Sequence, residues 1–297
     1  MHGVLVVNKP VGPSSHDVVV VARRCLGVSR IGHTGTLDPQ ASGVLPLVLG
    51  QATRLAQHLT GSDKEYDATI RFGLSTDTYD AAGEVIEASG RAPERALLEE
   101  ALGAFRGTFA QTPPAYSAKM VDGERAYVLA RAGKPAQAPP AVVTTRALEL
   151  LEYAPPLALV RVRCSAGFYV RSLAHDLGQA VGTGAILEAL TRTEAAGYRI
   201  DNALGFDRLV TTPRAELFAQ VQPMESLLHD MPMAAITAEG VDWARHGRDL
   251  GARQLRHPLA VVPEIVRLIG PDGCFIGLAG PAKPPALLHP AVVFRYS

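Results

Sequence analysis

The residues with the clearest capacity for chemistry lie in one stretch, residues 30–46, which we call the aspartate loop. It contains three glycines and two prolines, together with a single histidine, His33, and a single carboxylate, Asp38. Glycines allow backbone conformations and close approaches that a Cβ would block, and no regular period runs through the first half. Asp38 directly precedes Pro39, which favours an extended backbone at the acid. The stretch therefore predicts a shaped loop that presents one carboxylate in a fixed direction.

Three common kinds of site do not fit the aspartate loop. The spacing Gly32-x-x-Gly35 is not GxGxxG, and no Gly-Lys-Ser/Thr follows as a phosphate loop requires. Ser42 lacks the G-x-S-x-G context of a serine hydrolase, and a glycosidase needs a second facing carboxylate. Taken alone, the loop is compatible with an ordinary turn-rich connection. With these sites excluded, the loop fits a reaction in which one acid acts as a nucleophile or a base on a bound ring. Aromatic and basic residues elsewhere in the chain would assist it.

The elements that must position this loop surround it in the chain. Residues 4–7 are an apolar run typical of a buried strand. A helix is predicted over 18–26, capped by Ser14 or Ser15 and ended by Gly27. A second helix should follow a strand end within 166–178 and end at Gly178. Other predicted strands are 44–49, 64–73, 142–153, 157–164, 264–269, 274–278 and 292–296, with helices at 51–59, 93–105, 124–131 and 239–246 and a hairpin or projecting loop at 75–90.

These elements mix without a regular βαβ rhythm. This predicts an α+β fold around a large mixed or antiparallel β-sheet flanked by helices and loops. Composition changes near residue 230, where Met231-Pro232-Met233 leads into a β-rich segment. We therefore predict a large domain over 1–230 and a small one over 231–297, the latter close to the lower size limit for independent folding.

Composition restricts the class of protein without identifying a partner. The chain has 297 residues, 47% hydrophobic and 20% charged, as is typical of a soluble globular protein. Its formal net charge is zero, but residues 1–60 carry five Lys and Arg against two acids, and residues 240–297 carry seven against four. Weakly basic ends of this kind suit a polyanion, although ordinary solvated surface charge explains them equally well.

Cysteine and histidine usage argues against a metal or disulfide scaffold. Cys25, Cys164 and Cys274 form no CxxC pair, and the nine histidines show no HxxxH spacing. No apolar run reaches membrane-spanning length, and the first residues lack the features of a signal peptide. We expect a cytoplasmic protein with no metal and no membrane association.

The aspartate loop is one of several blocks that follow one another in a distinctive order. The blocks are Asn8-Lys9-Pro10, Gly32-His33-Thr34-Gly35-Thr36-Leu37-Asp38-Pro39, Ala41-Ser42-Gly43-Val44-Leu45-Pro46, Gly50-x-Ala52-Thr53-Arg54, Lys64-x-Tyr66, Pro113-Pro114-x-Tyr116-Ser117-Ala118-Lys119 and Tyr169-Val170-Arg171-Ser172-Leu173. In order and spacing they resemble the signature of bacterial tRNA pseudouridine-55 synthases, the TruB-type family of pseudouridine synthases. The resemblance covers about residues 3–200 and implies the pseudouridine-synthase fold. The C-terminal segment resembles a short PUA-type RNA-binding domain.

The resemblance implies an isomerase that flips a T-loop uridine of tRNA out of its stack, because the glycosidic carbon is otherwise out of reach. Asp38 matches the catalytic aspartate, which attacks the sugar or base or takes a sugar proton while the base detaches, rotates and rejoins through carbon. The sequence leaves these routes open. Tyr66 matches a tyrosine that stacks on the base and assists proton removal, and Arg171 matches the arginine paired with the catalytic carboxylate. Considered singly, Tyr66 would be a packed strand residue and Arg171 a surface residue.

Four further residues match substrate-binding positions of the family near the loop and the first strands. His33 matches the histidine that occupies the space left by the flipped nucleotide, and Thr34 follows it in the same block. Lys9 matches a lysine near the floor of the active site, and Lys64 one near the path of the RNA backbone.

Two more residues, Tyr169 and Leu190, match apolar walls of the uracil pocket, although packing in the core explains such residues about as well. The chain has Leu190-Thr191-Arg192 where Leu-Arg-Arg is common. No cofactor is implied, because the isomerisation is redox-neutral and transfers no group between molecules. The expected partner is tRNA, through its T-stem-loop, and we expect a monomer.

Two other function classes remain to be weighed. A non-catalytic tRNA-binding or RNA-folding protein has no need for Asp38, Tyr66 and Arg171 together, so the trio favours an enzyme. A small-molecule lyase or hydrolase would need the paired acids or the nucleophile motif that the chain lacks.

Overall fold

The structure is a computed structural model that describes residues 1–297 except 118, 122, 135–137, 229–230, 260 and 295–297. The strands are β1 (Gly3–Lys9), β2 (Ile31–His33), β3 (Ala41–Leu49), β4 (Lys64–Phe72), β5 (Leu74–Thr76), β6 (Val85–Ala88), β7 (Gly107–Gln111), β8 (Met120–Val121), β9 (Glu124–Arg125), β10 (Ala141–Ala154), β11 (Leu157–Cys164), β12 (Ala185–Ala195), β13 (Tyr198–Arg199), β14 (Leu204–Gly205), β15 (Met233–Ala235), β16 (Val266–Ile269), β17 (Phe275–Pro281) and β18 (Leu288–Val293). The helices are α1 (Ser15–Leu26), α2 (Ala56–Thr60), α3 (Arg95–Gly103), α4 (Ala126–Arg131), α5 (Val170–Ala180), α6 (Phe206–Thr211), α7 (Arg214–Ala219) and α8 (Ala238–Arg245), with 3₁₀ turns at Gly50–Leu55, Ile200–Asn202, Met224–Leu228 and Ala252–Gln254. Ala118 of the central block and the end of the last predicted strand, 295–296, lie outside the described residues.

A ten-stranded mixed sheet is the centre of the fold. Its strand order is β14-β1-β3-β12-β4-β11-β10-β7, with β13 also paired to β12 and β2 to β3. The pairs β1/β14 and β3/β12 are parallel and the other neighbours are antiparallel. A separate four-stranded sheet, β15-β16-β17-β18, follows near the C-terminus. This confirms the predicted α+β class with a large mixed sheet and a small β-rich C-terminal part.

The first strand is apolar throughout because both of its faces are covered. Leu5 and Val7 of β1 belong to the main core, which also contains residues of α1 and α5. Val4 and Val6 point to the other face and share a second core with Phe275 of β17. A sheet covered on both faces has a continuous apolar run in place of an alternating one. The small C-terminal sheet is therefore packed on the back of the large one, which adds a shared core to the little it can build alone.

Helix α1 begins and ends where the sequence predicts. The Ser14 hydroxyl accepts a hydrogen bond from the Asp17 backbone N–H at 3.2 Å, and the Asp17 carboxylate accepts one from the Ser14 backbone N–H at 2.8 Å. This reciprocal arrangement is a capping box. Gly27 ends the helix with a left-handed φ of 61°.

Near the centre of the sheet one predicted helix end is wrong and one strand is missed. Gly178 does not end α5, which continues to Ala180. A Cβ at Gly178 would lie 2.1 Å from the backbone nitrogen of Ala185, so this glycine allows α5 to approach the start of β12. The central strand β12 is not predicted because register shifts at Leu187/Ala189 and Arg192/Glu194 interrupt its two-residue alternation. None of the helices in the described parts of the chain combines the length and the apolarity needed to cross a membrane.

Gly43 of β3 lies against the backbone of β12, and Gly12 provides a matched control for its replacement. A Cβ at Gly43 would lie 2.2 Å from the carbonyl oxygen of Arg192, and φ is +110°. Gly12 has almost the same φ, +113°, with no atom in the way of a Cβ. We expect Gly43→Ala to lower the free energy of unfolding by about 3 kcal/mol more than Gly12→Ala, because overpacking adds to a shared backbone strain. Denaturant titration measures both variants, and equal losses would mean that strain alone requires glycine at residue 43.

Candidate functional site

Arg171 joins two acids from distant parts of the chain. Its Nη2 lies 3.0 Å from Oδ2 of Asp38, and its Nη1 lies 3.7 Å from Oδ2 of Asp80. The same guanidinium donates to the carbonyl oxygens of Tyr116 at 3.0 Å and Thr78 at 3.4 Å. The side chain of Arg171 is 11% exposed, whereas that of Asp38 is 47% exposed. The nearly buried guanidinium of Arg171 therefore binds the accessible carboxylate of Asp38.

The backbone on both sides of Asp38 is fastened to other segments. The Ser15 hydroxyl, on α1, accepts from the Leu37 N–H at 2.8 Å and lies 3.0 Å from the Leu37 carbonyl oxygen, to which it can donate. The Pro39 carbonyl accepts from the Gly12 N–H at 2.8 Å. These contacts anchor the backbone on both sides of the acid.

Lys9 lies fully buried under the aspartate loop. Its Nζ donates to the carbonyl oxygens of Pro10 and Pro13, both at 2.8 Å, and lies 3.5 Å from that of Pro39. Burial lowers the pKa of Lys9, and the nearby charge of Asp38 opposes this shift. Through these three carbonyl oxygens Lys9 links the turn at Pro10 and Pro13 to Pro39, the residue that follows Asp38.

Arg192 is a second buried cation behind the loop, and the sequence predictions do not include it. Its Nε donates to the carbonyl oxygen of Val44 at 2.7 Å, its Nη2 to that of Gly35 at 3.1 Å and its Nη1 to that of Thr36 at 3.5 Å. Arg192 pairs with Tyr66 in the register of β12 and β4. In the sequence Arg192 stands out only as the last residue of the segment Leu190-Thr191-Arg192, and this position does not indicate that its side chain is buried.

Tyr66 lies buried on β4 next to this arginine. Burial raises the pKa of Tyr66, and the charge of Arg192 together with its hydrogen bond to the tyrosine acts in the opposite direction. The phenol is therefore protonated at neutral pH. The charge of Asp38 also acts to raise this pKa.

A pocket of about 120 Å³ opens in front of Asp38 and Arg171. Its polar end is formed by these two residues with Asp80, and its apolar side includes Leu187 and Leu190 of β12. The volume is well below the roughly 300–1,000 Å³ of pockets for drug-sized ligands. A small ring would fit between this apolar side and the carboxylate of Asp38, with Asp80 and Glu188 also in the lining.

The other predicted binding residues do not line this pocket. His33, on β2, accepts a hydrogen bond at Nδ1 from the Gly35 N–H at 3.4 Å, and burial lowers the pKa of His33 so that it is neutral at pH 7. Thr34 is enclosed, with its backbone N–H donating to the Pro46 carbonyl at 3.2 Å. These contacts hold both residues within the aspartate loop.

Lys64 and Tyr169 are each held by hydrogen bonds to neighbouring segments. The Lys64 Nζ donates to the carbonyl oxygens of Thr60 at 3.0 Å and Ser62 at 2.8 Å, and burial lowers the pKa of Lys64. Tyr169 is the N-cap of α5, where the Gln111 side chain accepts from its N–H at 2.8 Å and donates to its carbonyl at 3.0 Å. Burial raises the pKa of Tyr169. The Gln111 clamp fixes the start of the helix that carries Arg171.

Asp80 and Arg192 are the residues of this site that sequence reasoning missed. Asp80 falls in the polar segment 75–90, which predicts a hairpin or a projecting loop. Strands β5 and β6 form a hairpin, and its turn folds back onto Arg171. The Asp- and Thr-rich run before Asp80 was its only sequence signal. Within the described residues, no group of three or more His, Cys, Asp or Glu side chains is arranged to hold a metal ion.

Comparison with known protein families gives two matches that follow each other along the chain. The N-terminal domain of the TruB family pseudouridylate synthases matches residues 23–170, and the C-terminal domain of tRNA pseudouridylate synthase B matches residues 171–229. The tRNA pseudouridine synthase B of Solibacter usitatus (strain Ellin6076) is 41% identical over 295 residues, which is 99% of this chain and all of that protein. The Francisella philomiragia protein of the same name is 43% identical over 244 residues, covering 82% of this chain and 81% of its own length.

Solved structures share the fold over nearly the whole chain. An H/ACA RNP bound to a substrate RNA containing 2′-deoxyuridine includes a chain with a TM-score of 0.77 and 24% identity, covering 99% of this chain and 85% of that one. A Cbf5-Nop10-Gar1 complex includes one with a TM-score of 0.75 and 26% identity, covering 96% and 83%. With the family matches and full-length relatives above, this shows that the chain belongs to the TruB family of pseudouridylate synthases.

Proposed function

We propose that this protein is a tRNA pseudouridine synthase that converts the uridine at position 55, in the T-loop, to pseudouridine. The observation that carries the proposal is the accessible Asp38 carboxylate, held by Arg171 at a pocket with room for one small ring. The relatives at 41% and 43% identity, named tRNA pseudouridine synthase B, support tRNA as the substrate. The reaction is redox-neutral and intramolecular, so the proposal includes no cofactor.

The chemistry begins with a flipped nucleotide, because neither the glycosidic carbon nor the edge of a stacked base is accessible. Asp38 acts on the nucleoside by attacking the sugar or base or by taking a sugar proton, while Arg171 holds its carboxylate in place. The bond from N1 to C1′ breaks, the uracil rotates, and C5 bonds to C1′. N1 ends with a proton and C5 loses one. Tyr66, beneath the loop, is the group we propose to stack on the base and assist this proton removal.

The surrounding residues have binding roles in this proposal. Leu190 forms the apolar wall of the uracil pocket, and Tyr169 supports it from the start of α5. The neutral ring of His33 fills the space that the flipped nucleotide leaves in the T-loop. The remaining contributors are two buried residues that support the loop and one lysine along the RNA backbone: Lys9, Thr34 and Lys64.

The two parts of the chain have different roles in this proposal. Residues 1–230 form the catalytic domain and residues 231–297 a short PUA-like domain that contacts RNA. The packing of Phe275 against the back of the large sheet would hold the two in one orientation toward tRNA. Since one chain supplies the acid, its arginine and the pocket, we propose that the enzyme acts as a monomer, in the cytoplasm, on the T-stem-loop.

Binding of tRNA should weaken with salt despite the zero net charge of the chain. Each phosphate contact releases counterions, so the affinity depends on local basic surface more than on total charge. We expect the Kd for an unmodified tRNA transcript to rise at least about tenfold between roughly 50 and 200 mM monovalent salt. Filter binding over this range measures the slope, and a Kd independent of salt would contradict the assigned substrate.

The proposed reaction can be tested through the proton that C5 loses. A tRNA transcript carrying tritium at C5 of every uridine should release one equivalent of tritium per tRNA when incubated with the protein. A transcript with cytidine in place of the T-loop uridine should release none. Equal release from both transcripts would exclude the T-loop position, and no release from either would exclude the reaction.

A further inference from the structure

Tyr79, directly before Asp80, has a backbone conformation that tyrosine rarely adopts. Its φ is 64°, in the left-handed region where the Cβ of a bulky residue is crowded. Among the described residues, Ala196 is the only other non-glycine with positive φ. Strain of this kind persists where the surroundings impose it, and it is concentrated at functional sites.

The ring of Tyr79 lies flat on the imidazole of His175. Their centroids are 3.8 Å apart and the ring planes differ by 10°. His175 stands four residues after Arg171 on α5, so both side chains project from one face of the helix. The buried Nδ1 of His175 has no hydrogen-bond partner within the described part of the chain. Burial lowers the pKa of His175, so two neutral rings are stacked at pH 7.

The residues next to Tyr79 connect the stacked rings to Arg171 through hydrogen bonds and through Asp80. The Leu187 N–H donates to the carbonyl of Tyr79 at 2.9 Å, which fixes the turn to β12. The Thr78 hydroxyl donates to Oδ1 of Asp80 at 2.6 Å. With Oδ1 engaged, Oδ2 of Asp80 faces Nη1 of Arg171 at 3.7 Å. Oδ1 of Asp80 also accepts from the Ala82 N–H at 3.1 Å, so the carboxylate is held within the turn that contains Tyr79, and its direction follows the conformation of that turn.

We propose that Tyr79 and His175 are a positioning pair for the site. Their stacking holds the left-handed turn that aims Asp80 at Arg171, which keeps the second nitrogen of Arg171 directed at Asp38. Neither ring lines the pocket or touches the reacting atoms. This inference rests on the proposed isomerase function and adds two residues to its machinery.

Single-turnover pseudouridine formation in stacking variants tests the pair. We expect Tyr79→Ala and His175→Ala each to lower the rate constant by about ten- to a hundredfold, the scale of effect expected when a reacting group is misplaced. The Kd for tRNA should stay within about twofold, since the loss concerns a step after binding. Tyr79→Phe and His175→Phe retain two stacked rings and should restore most of the rate. The double alanine variant should be no slower than the slower single variant, because the residues act as one unit.

The matched control is Gln179→Ala, an exposed residue one turn further along α5, which should react at the wild-type rate. All variants are compared below their unfolding temperatures, as measured by circular dichroism. Three results would overturn the proposed role of the pair. These are wild-type rates in both alanine variants, equal rates in the phenylalanine and alanine variants, or a loss of tRNA affinity that parallels the loss of rate. If the wild-type protein itself forms no pseudouridine, the proposed function fails instead, so the two failures are distinguishable.

Discussion

Asp38→Asn is expected to abolish pseudouridine formation, lowering the single-turnover rate constant by at least about 10³-fold. The amide keeps the size of the side chain, and its oxygen can still accept from Arg171, which lies 3.0 Å from Oδ2 in the native protein. An amide is neither a nucleophile nor a base of useful strength. The contacts that hold the loop through Leu37 and Pro39 are unaffected. The Kd for tRNA should therefore stay close to that of the wild type.

Asp201→Asn is the matched control, since the Asp201 side chain is 76% exposed and lies outside the pocket. It should leave both rate and affinity unchanged. If the protein only binds RNA and has no catalytic activity, the two variants should not differ in rate or in tRNA affinity. Turnover by Asp38→Asn at the rate of Asp201→Asn would remove the acid from the mechanism.

Arg171→Lys should lower the rate constant by about 10²-fold or more, although the charge is retained. The guanidinium reaches Asp38, Asp80 and two backbone carbonyls at the same time through different N–H groups. A single ammonium cannot satisfy all of these directions, so the carboxylate of Asp38 loses its fixed position. Single-turnover kinetics should show a lower rate at saturating enzyme, with a smaller change in tRNA affinity.

Arg161→Lys separates this effect from a general cost of replacing arginine. Arg161 also binds a carboxylate through two nitrogens, with distances of 2.7 and 2.8 Å to Asp67, but its side chain is 41% exposed on β11. Exposed ion pairs contribute little to stability, and this one lies away from the pocket. Activity should stay within about twofold of the wild type. Comparable losses in the two lysine variants would mean that Arg171 is a structural residue.

The parts of the fold set by neighbouring residues were predictable. Ser14 and Gly27 mark the ends of α1 because caps depend on interactions within one turn of the chain. The proline after Asp38 likewise restricts the backbone locally, and the prediction of a fixed direction for this acid rests on that restriction alone. The blocks around Tyr66 and Arg171 indicated roles only through their resemblance to a family. Nothing in those segments alone says that Arg171 meets Asp38.

The missed features depend on contacts between distant segments or on irregular strands. In the sequence Arg192 resembles any other charged residue. In the structure β12 places it between β3 and β4, where its guanidinium donates to three carbonyl oxygens of the aspartate loop. Two bulges hide that strand from any search for alternation. Asp80 reaches Arg171 only because the turn after β5 folds back, which the polar composition of 75–90 does not indicate. Burial of polar groups follows from topology, and topology is the part that a single sequence specifies least directly.

The most direct test is to incubate the protein with an unmodified tRNA transcript and map pseudouridine at single-nucleotide resolution. The proposed function predicts complete conversion of the T-loop uridine at position 55, with no other uridine changed and no conversion by Asp38→Asn. An unconverted T-loop uridine in a transcript that the folded wild-type protein binds would contradict it.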